Sequence, residues 1–154
     1  MGYDVRIVHE PGRDLMVTPF YTTTEEVGKQ IGPGLEKVSG FLHGRGAPPA
    51  GPGVAYYERG PEGLVVAVGF TVPREISGGD DIITLHLPDT EVATTTYAGS
   101  YQDLASAYDA LKQGAAEQGR AVDESGGTWE EYWSEPGSIP WEVRAEVFWP
   151  LAPG

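Results

Sequence analysis

The stretch Ile82-Ile-Thr-Leu-His-Leu-Pro-Asp-Thr-Glu-Val-Ala-Thr-Thr-Thr-Tyr97 decides how the rest of the chain is read. Residues 82–87 are a short apolar run, Pro88-Asp89 is a turn signal, and residues 91–97 are rich in Val and Thr, so the stretch predicts two successive strands. Ser100 then stands where a helix N-cap would, with Asp103 placed for the reciprocal contact and near the positive helix end. Tyr101, Leu104, Tyr108, Leu111 and Ala115 recur at helical spacing, and Gly119 is the expected stop. Beyond Gly126-Gly127, residues 128–134 and 142–149 alternate in type and predict two further strands, joined by Glu135-Pro-Gly-Ser138.

Working outward toward the N-terminus, the same order recurs. A shift of 77 positions sets His9-Glu-Pro11 against His86-Leu-Pro88, Phe20 against Tyr97, and Thr23-x-x-Glu26 against Ser100-x-x-Asp103. It also sets Val27 against Leu104, Ile31 against Tyr108, Tyr56 against Trp133 and Pro73 against Pro150. The first copy therefore predicts strands at 4–9 and 14–21, a helix at 24–42 interrupted by Gly32-Pro-Gly34, and strands at 53–59 and 64–72. Its connector, residues 43–53, is too rich in Gly and Pro for regular structure. The expected architecture is a single α+β domain over residues 1–154, built of two strand-strand-helix-strand-strand repeats, about 1–76 and 82–154. Ser77-Gly-Gly-Asp-Asp81 is the expected linker. Antiparallel sheets with one helix per repeat, paired with pseudo-twofold symmetry, would leave a central ligand groove.

Composition narrows the function. Hydrophobic residues make up 40% of the 154, enough for a packed core. Ten basic residues against 23 acidic ones give a formal charge of −13, which repels nucleic-acid phosphates and anionic lipid surfaces. A neutral or cationic ligand is the expected partner, with no nucleic acid and no membrane. The chain has no cysteine and no apolar run long enough to span a bilayer, and residues 1–6 lack a signal-peptide core, so the expected location is cytoplasmic. His9 and His86 are repeat equivalents on first strands and His43 borders the Gly/Pro connector. No metal-ligand spacing and no phosphate loop appears, so neither metal nor cofactor is expected.

Chemistry concentrates in Trp129-Glu-Glu-Tyr-Trp-Ser-Glu-Pro136, where three carboxylates stand among three large aromatics. Together with Tyr97-Ala-Gly-Ser-Tyr-Gln-Asp-Leu104 and Val143-Arg-Ala-Glu-Val-Phe-Trp-Pro150, this stretch resembles the GyrI-like small-molecule-binding domains, also found as effector-binding parts of AraC-type and MerR-type multidrug regulators. The likeness covers essentially the whole chain. It implies a duplicated module whose central pocket takes bulky aromatic, often cationic compounds, with glutamates as counter-charge. The chain lacks a helix-turn-helix segment, so a stand-alone binding protein is expected. The family's two glutamate positions fall on Glu130 and Glu146, whereas Glu131 occupies a slot that is usually apolar.

Alternation then assigns faces. Trp129 and Trp133 are expected to pack as core, which leaves Glu130, Tyr132 and Ser134 on the other side. Ala145, Val147 and Trp149 are expected against the helix, which leaves Arg144, Glu146 and Phe148 opposite. This grouping favours Glu130 with Glu146. By the same shift Gly69 and Thr71, with Ala55 and Tyr57, would line the pocket from the first repeat. The candidate ligand-binding residues are Glu130, Glu131, Tyr132, Glu146, Phe148 and Tyr57. The resemblance also allows a second function, since some GyrI-like proteins are hydrolases of strained, cyclopropane-bearing natural products. Glu130 and Glu146 would then be the candidate catalytic carboxylates, activating water.

Overall fold

The computed structural model describes residues 3–23, 26–49, 51–60, 63–73, 76–79, 81–100, 103–133 and 142–153. Its elements run β1 (Arg6–Glu10), β2 (Arg13–Thr22), α1 (Val27–Gly44), β3 (Gly53–Gly60), β4 (Gly63–Val72), β5 (Ile83–Leu87), β6 (Thr90–Ser100), α2 (Ala105–Glu117), β7 (Thr128–Tyr132) and β8 (Glu142–Pro150). The chain is thus α+β, two strand-strand-helix-strand-strand modules with antiparallel pairing throughout. Among the described residues no helix is long and apolar enough to cross a membrane.

The modules exchange their first strands. β1 pairs with β6, and β5 pairs with β2, so the chain divides into unit 1 (Met1–Pro11 and Asp89–Gly154) and unit 2 (Gly12–Pro88). Unit 1 carries the strand order β1-β6-β8-β7 and unit 2 the order β5-β2-β4-β3. The internal repeat reappears in the registers themselves. His9 faces Glu91 as His86 faces Asp14, and Glu130 faces Val147 as Gly53 faces Phe70, each pair 77 positions from its counterpart.

In unit 1, Leu104, Ala107, Leu111 and Ala115 press α2 onto Ala93, Tyr97 and Val147, with Tyr108 and Trp149 at the margin. The helix stops as expected. Gly119 takes φ +75, and the N–H groups of Gly119 and Arg120 bond to the carbonyls of Ala116 and Ala115, closing the last turn. Its start differs from the expectation. Ser100 ends β6, and the N-cap residue is Leu104, without a side-chain cap bond. Extended pairing with β8 holds Ser100 opposite Glu142 and keeps it out of the helix. Tyr101, assigned to the helix from spacing, lies outside the described residues.

In unit 2, α1 runs unbroken through Pro33, against the expected interruption. Pro33 withholds a backbone donor and costs about 3 kcal/mol inside a helix. Its ring faces solvent, and the buried stripe Val27, Ile31, Leu35, Val38 and Leu42 offsets that cost with about 10 kcal/mol of apolar burial. Gly34 has a separate use. A Cβ there would lie 2.3 Å from Val68 Cγ2, so the missing side chain lets the helix seat on β4.

Candidate functional site

The site is fixed by which side of unit 1's sheet each residue of β7 and β8 takes. On β8, Val147 is core beneath α2, and the Trp149 indole meets Tyr108 of α2 edge-on, with ring centroids 6.1 Å apart and planes at 68°. Trp149 Nε1 donates to the Asp123 carbonyl at 3.0 Å. Ala145, Val147 and Trp149 therefore face the helix, as alternation predicted. Antiparallel register carries that choice across to β7: Glu130 lies opposite Val147 and Tyr132 opposite Ala145, while Trp129 lies opposite Phe148 and Glu131 opposite Glu146.

This reverses the grouping expected for β7. Glu130 and Tyr132 sit on the helix-covered side, and Glu131 joins Glu146 and Phe148 on the other. The physical cause is Trp129, whose ring stacks on Phe148 at 5.6 Å and 15° between planes, away from α2. Because side chains alternate strictly, misplacing one tryptophan flips the whole strand. Trp133, the other expected core anchor, is 60% exposed just beyond the end of β7. Ser134 and the turn at 135–138 lie outside the described residues. The same one-step slip applies in unit 2. Gly69 faces Val54, whereas Ala55 and Tyr57 pair with Val68 and Val66 on the side that α1 covers. Tyr57 is half-buried there and does not share a face with Gly69 and Thr71.

On the helix side of unit 1, Glu130 is 2% exposed. Tyr108 Oη donates to its Oε2 at 2.5 Å, and Tyr132 Oη donates to its Oε1. Hydroxyl donors satisfy both oxygens of a carboxylate that burial would otherwise penalise by several kcal/mol. The result is a buried carboxyl group held between the phenols of Tyr108 and Tyr132, with Trp149 edge-on to Tyr108. In the sequence Tyr108 stands on an apolar helix stripe, as the repeat equivalent of Ile31. A phenol on such a stripe needs a polar partner once buried, and that was the available signal.

On the opposite side, Glu146 accepts from Thr94 Oγ1 at 2.9 Å and from Arg6 at 3.3 Å. Glu131 is buried directly across from it, where two like charges repel unless neighbours compensate. Trp129 and Phe148 are 1% and 3% exposed, and the Trp129 indole nitrogen has no hydrogen-bond partner among the described residues. The two rings stack on each other on this side of the sheet. Unit 2 also carries an open depression of about 580 Å³ beside α1, lined by Phe20, Lys29, Pro33, Lys37 and Ile83 among others, and none of the expected site residues reaches it. Among the described residues no group of three or more His, Asp or Glu converges as a metal ion requires.

Comparison with known proteins agrees with this architecture. The family model of the GyrI-like small molecule binding domain matches residues 3–152. No curated protein sequence matches. Among solved structures, the EcmrR C-terminal domain aligns with TM-score 0.73 at 17% identity, covering all of both chains. A hydrolase from Listeria innocua aligns with TM-score 0.68 at 9% identity, over 96% of this chain and 91% of the other. SAV2435, solved bound to tetraphenylphosphonium, aligns with TM-score 0.59 at 10% identity, over 99% and 94%.

Proposed function

This chain belongs to the GyrI-like small molecule binding domain family, and from that premise we propose that it binds bulky aromatic cations at Glu130, with Tyr108, Tyr132 and Trp149 as ring walls. One observation carries the reading: a carboxylate 2% exposed, with both oxygens held by phenols, beneath a helix whose tyrosine meets a tryptophan edge-on. A cation brought to that carboxylate relieves the cost of burying it, and each ring the cation covers adds roughly 0.5 to 2 kcal/mol. A protein of similar fold holding tetraphenylphosphonium, a bulky aromatic cation, supports the ligand class. The expected role is drug sensing or sequestration in the cytoplasm, and the −13 net charge argues against contact with nucleic acid through this chain's own surface.

Titration of rhodamine 6G by fluorescence anisotropy tests the reading. Glu130→Gln weakens binding about tenfold or more, because the partner of a desolvated charge is lost. Glu146→Gln, on the opposite side of the sheet, changes it less than about twofold. Equal affinity of wild type and Glu130→Gln refutes the assignment.

A second reading is favoured by the pairing of that carboxylate with a phenol, which supplies a base and an acid together. Glu130 would take a proton from water as its oxygen attacks a strained cyclopropane carbon. The opening carbon–carbon bond would pass its electrons to a conjugated carbonyl, which takes a proton from Tyr132, and Glu130 would then reprotonate that phenol. Mass spectrometry of such a substrate incubated with the protein would reveal the water adduct. Turnover equal to buffer sinks this alternative.

A further inference from the structure

We propose that the cations this site prefers carry an N–H bond, as amino-substituted dyes, protonated amines and amidines do, over fully alkylated or arylated onium ions. The proposal rests on Glu130 being the counter-charge and adds a requirement on the ligand's chemistry. Both carboxylate oxygens are engaged, Oε2 by Tyr108 at 2.5 Å and Oε1 by Tyr132. At 2% exposure, a ligand reaches Glu130 only by displacing one of these hydroxyls. Tyr132 is buried two residues away on the same strand, whereas Tyr108 is half-buried on α2. Tyr108 is the donor that gives way.

Displacing it strips Oε2 of a hydrogen bond in a site of low dielectric, a deficit that lowers affinity by roughly tenfold to a hundredfold. An N–H carried by the ligand's own cationic group restores the bond and makes it charge-assisted. A methylated nitrogen or an aryl phosphonium presents only C–H groups, so it gains the charge attraction but leaves the deficit. Hydrogen bonding, more than charge, then sets the rank order of ligands.

The test uses a matched pair of dyes. Rhodamine 123 and tetramethylrhodamine methyl ester share a xanthene ester core and a single positive charge, and differ in carrying N–H or N–CH3 groups. Rhodamine 123 binds about tenfold tighter to the wild type, and the preference collapses in Glu130→Gln. In Tyr108→Phe, which has no hydroxyl to displace, both dyes bind about tenfold tighter or more with their ratio kept. A wild-type ratio below twofold, a ratio unchanged in Glu130→Gln, or weaker binding of both dyes to Tyr108→Phe overturns the proposal. If Glu130→Gln weakens both dyes equally while the wild-type ratio stays near one, the counter-charge reading survives and the N–H requirement alone falls. If neither dye binds wild type, both fall. Should Glu130→Gln not fold, the wild-type ratio and the Tyr108→Phe shift decide the matter.

Discussion

Replacing Tyr108 with Phe removes one hydroxyl and nothing else, which makes it the cleanest perturbation of the buried carboxylate. The ring keeps its edge contact with Trp149, so little packing is lost. What disappears is a 2.5 Å hydrogen bond to a carboxylate 2% exposed, and a bond to a charged acceptor contributes about 1.5 to 3 kcal/mol. For a chain of 154 residues, that corresponds to a melting temperature lower by about 4 to 8 °C. Tyr3→Phe is the internal control. It deletes a 2.6 Å bond to Ser106 Oγ, also tying a tyrosine to α2, but at an exposed position where the loss is about 0.5 kcal/mol or less. Urea unfolding of wild type and the two variants, read with a common slope, measures both. A Tyr108→Phe loss no larger than that of Tyr3→Phe would refute the claim that this hydroxyl sustains a buried charge. Combined with tighter dye binding, the predicted instability makes Tyr108 a residue that stabilises the unliganded fold at the ligand's expense.

Three further outcomes follow from the geometry. Gly34→Ala puts a methyl 2.3 Å from Val68 Cγ2 and forces α1 off β4, costing about 1 to 3 kcal/mol despite alanine's better helix propensity; a gain in urea midpoint would contradict it. Burial, then the hydrogen bond to Glu58, then that carboxylate's charge, push the Tyr56 phenol above its usual 10.0. The native state holds this proton more tightly than the unfolded chain, so its contribution is intact below roughly pH 10 and is lost as pH rises further. Tyr56→Phe flattens that alkaline fall, and parallel curves for the two proteins would show the linkage to be absent. The Ser125 hydroxyl and backbone N–H donate to Asp123 Oδ1 at 2.6 and 3.0 Å and hold that carboxyl below its usual 3.8; Ser125→Ala shifts its NMR titration upward, and an unmoved midpoint rules the hydroxyl out as cause.

The repeat was legible because 77 residues separate equivalent landmarks without a gap, and the strand registers keep the same offset. The faces of β8 were legible too, since Ala145, Val147 and Trp149 form an unmixed apolar set. β7 was not. Its aromatics suggested a core side that Trp129 contradicts by stacking on Phe148, and a carboxylate under a helix runs against hydropathy. Phenols from α2 and from its own strand meet Glu130 there, an arrangement that alternation along one strand does not encode. Pro33 misled in the other direction, because a breaker's local cost is smaller than the burial of five residues spread along α1.

The exchange of first strands imposes an order of assembly. Gly12–Pro88 is contiguous, so unit 2 has all its strands once Leu87 has been synthesised. β1, made earlier than any of them, has no partner until β6 appears, since Arg6 pairs with Thr94. During synthesis it is an unpaired strand tethered to a unit whose strands are all present, carrying exposed Arg6 and His9 in a sequence too short and polar to pair readily with itself. Glu130 on β7 belongs to unit 1, which draws on residues from both sides of Gly12–Pro88. Binding at Glu130, as proposed, would therefore arise only after unit 2 has all its strands.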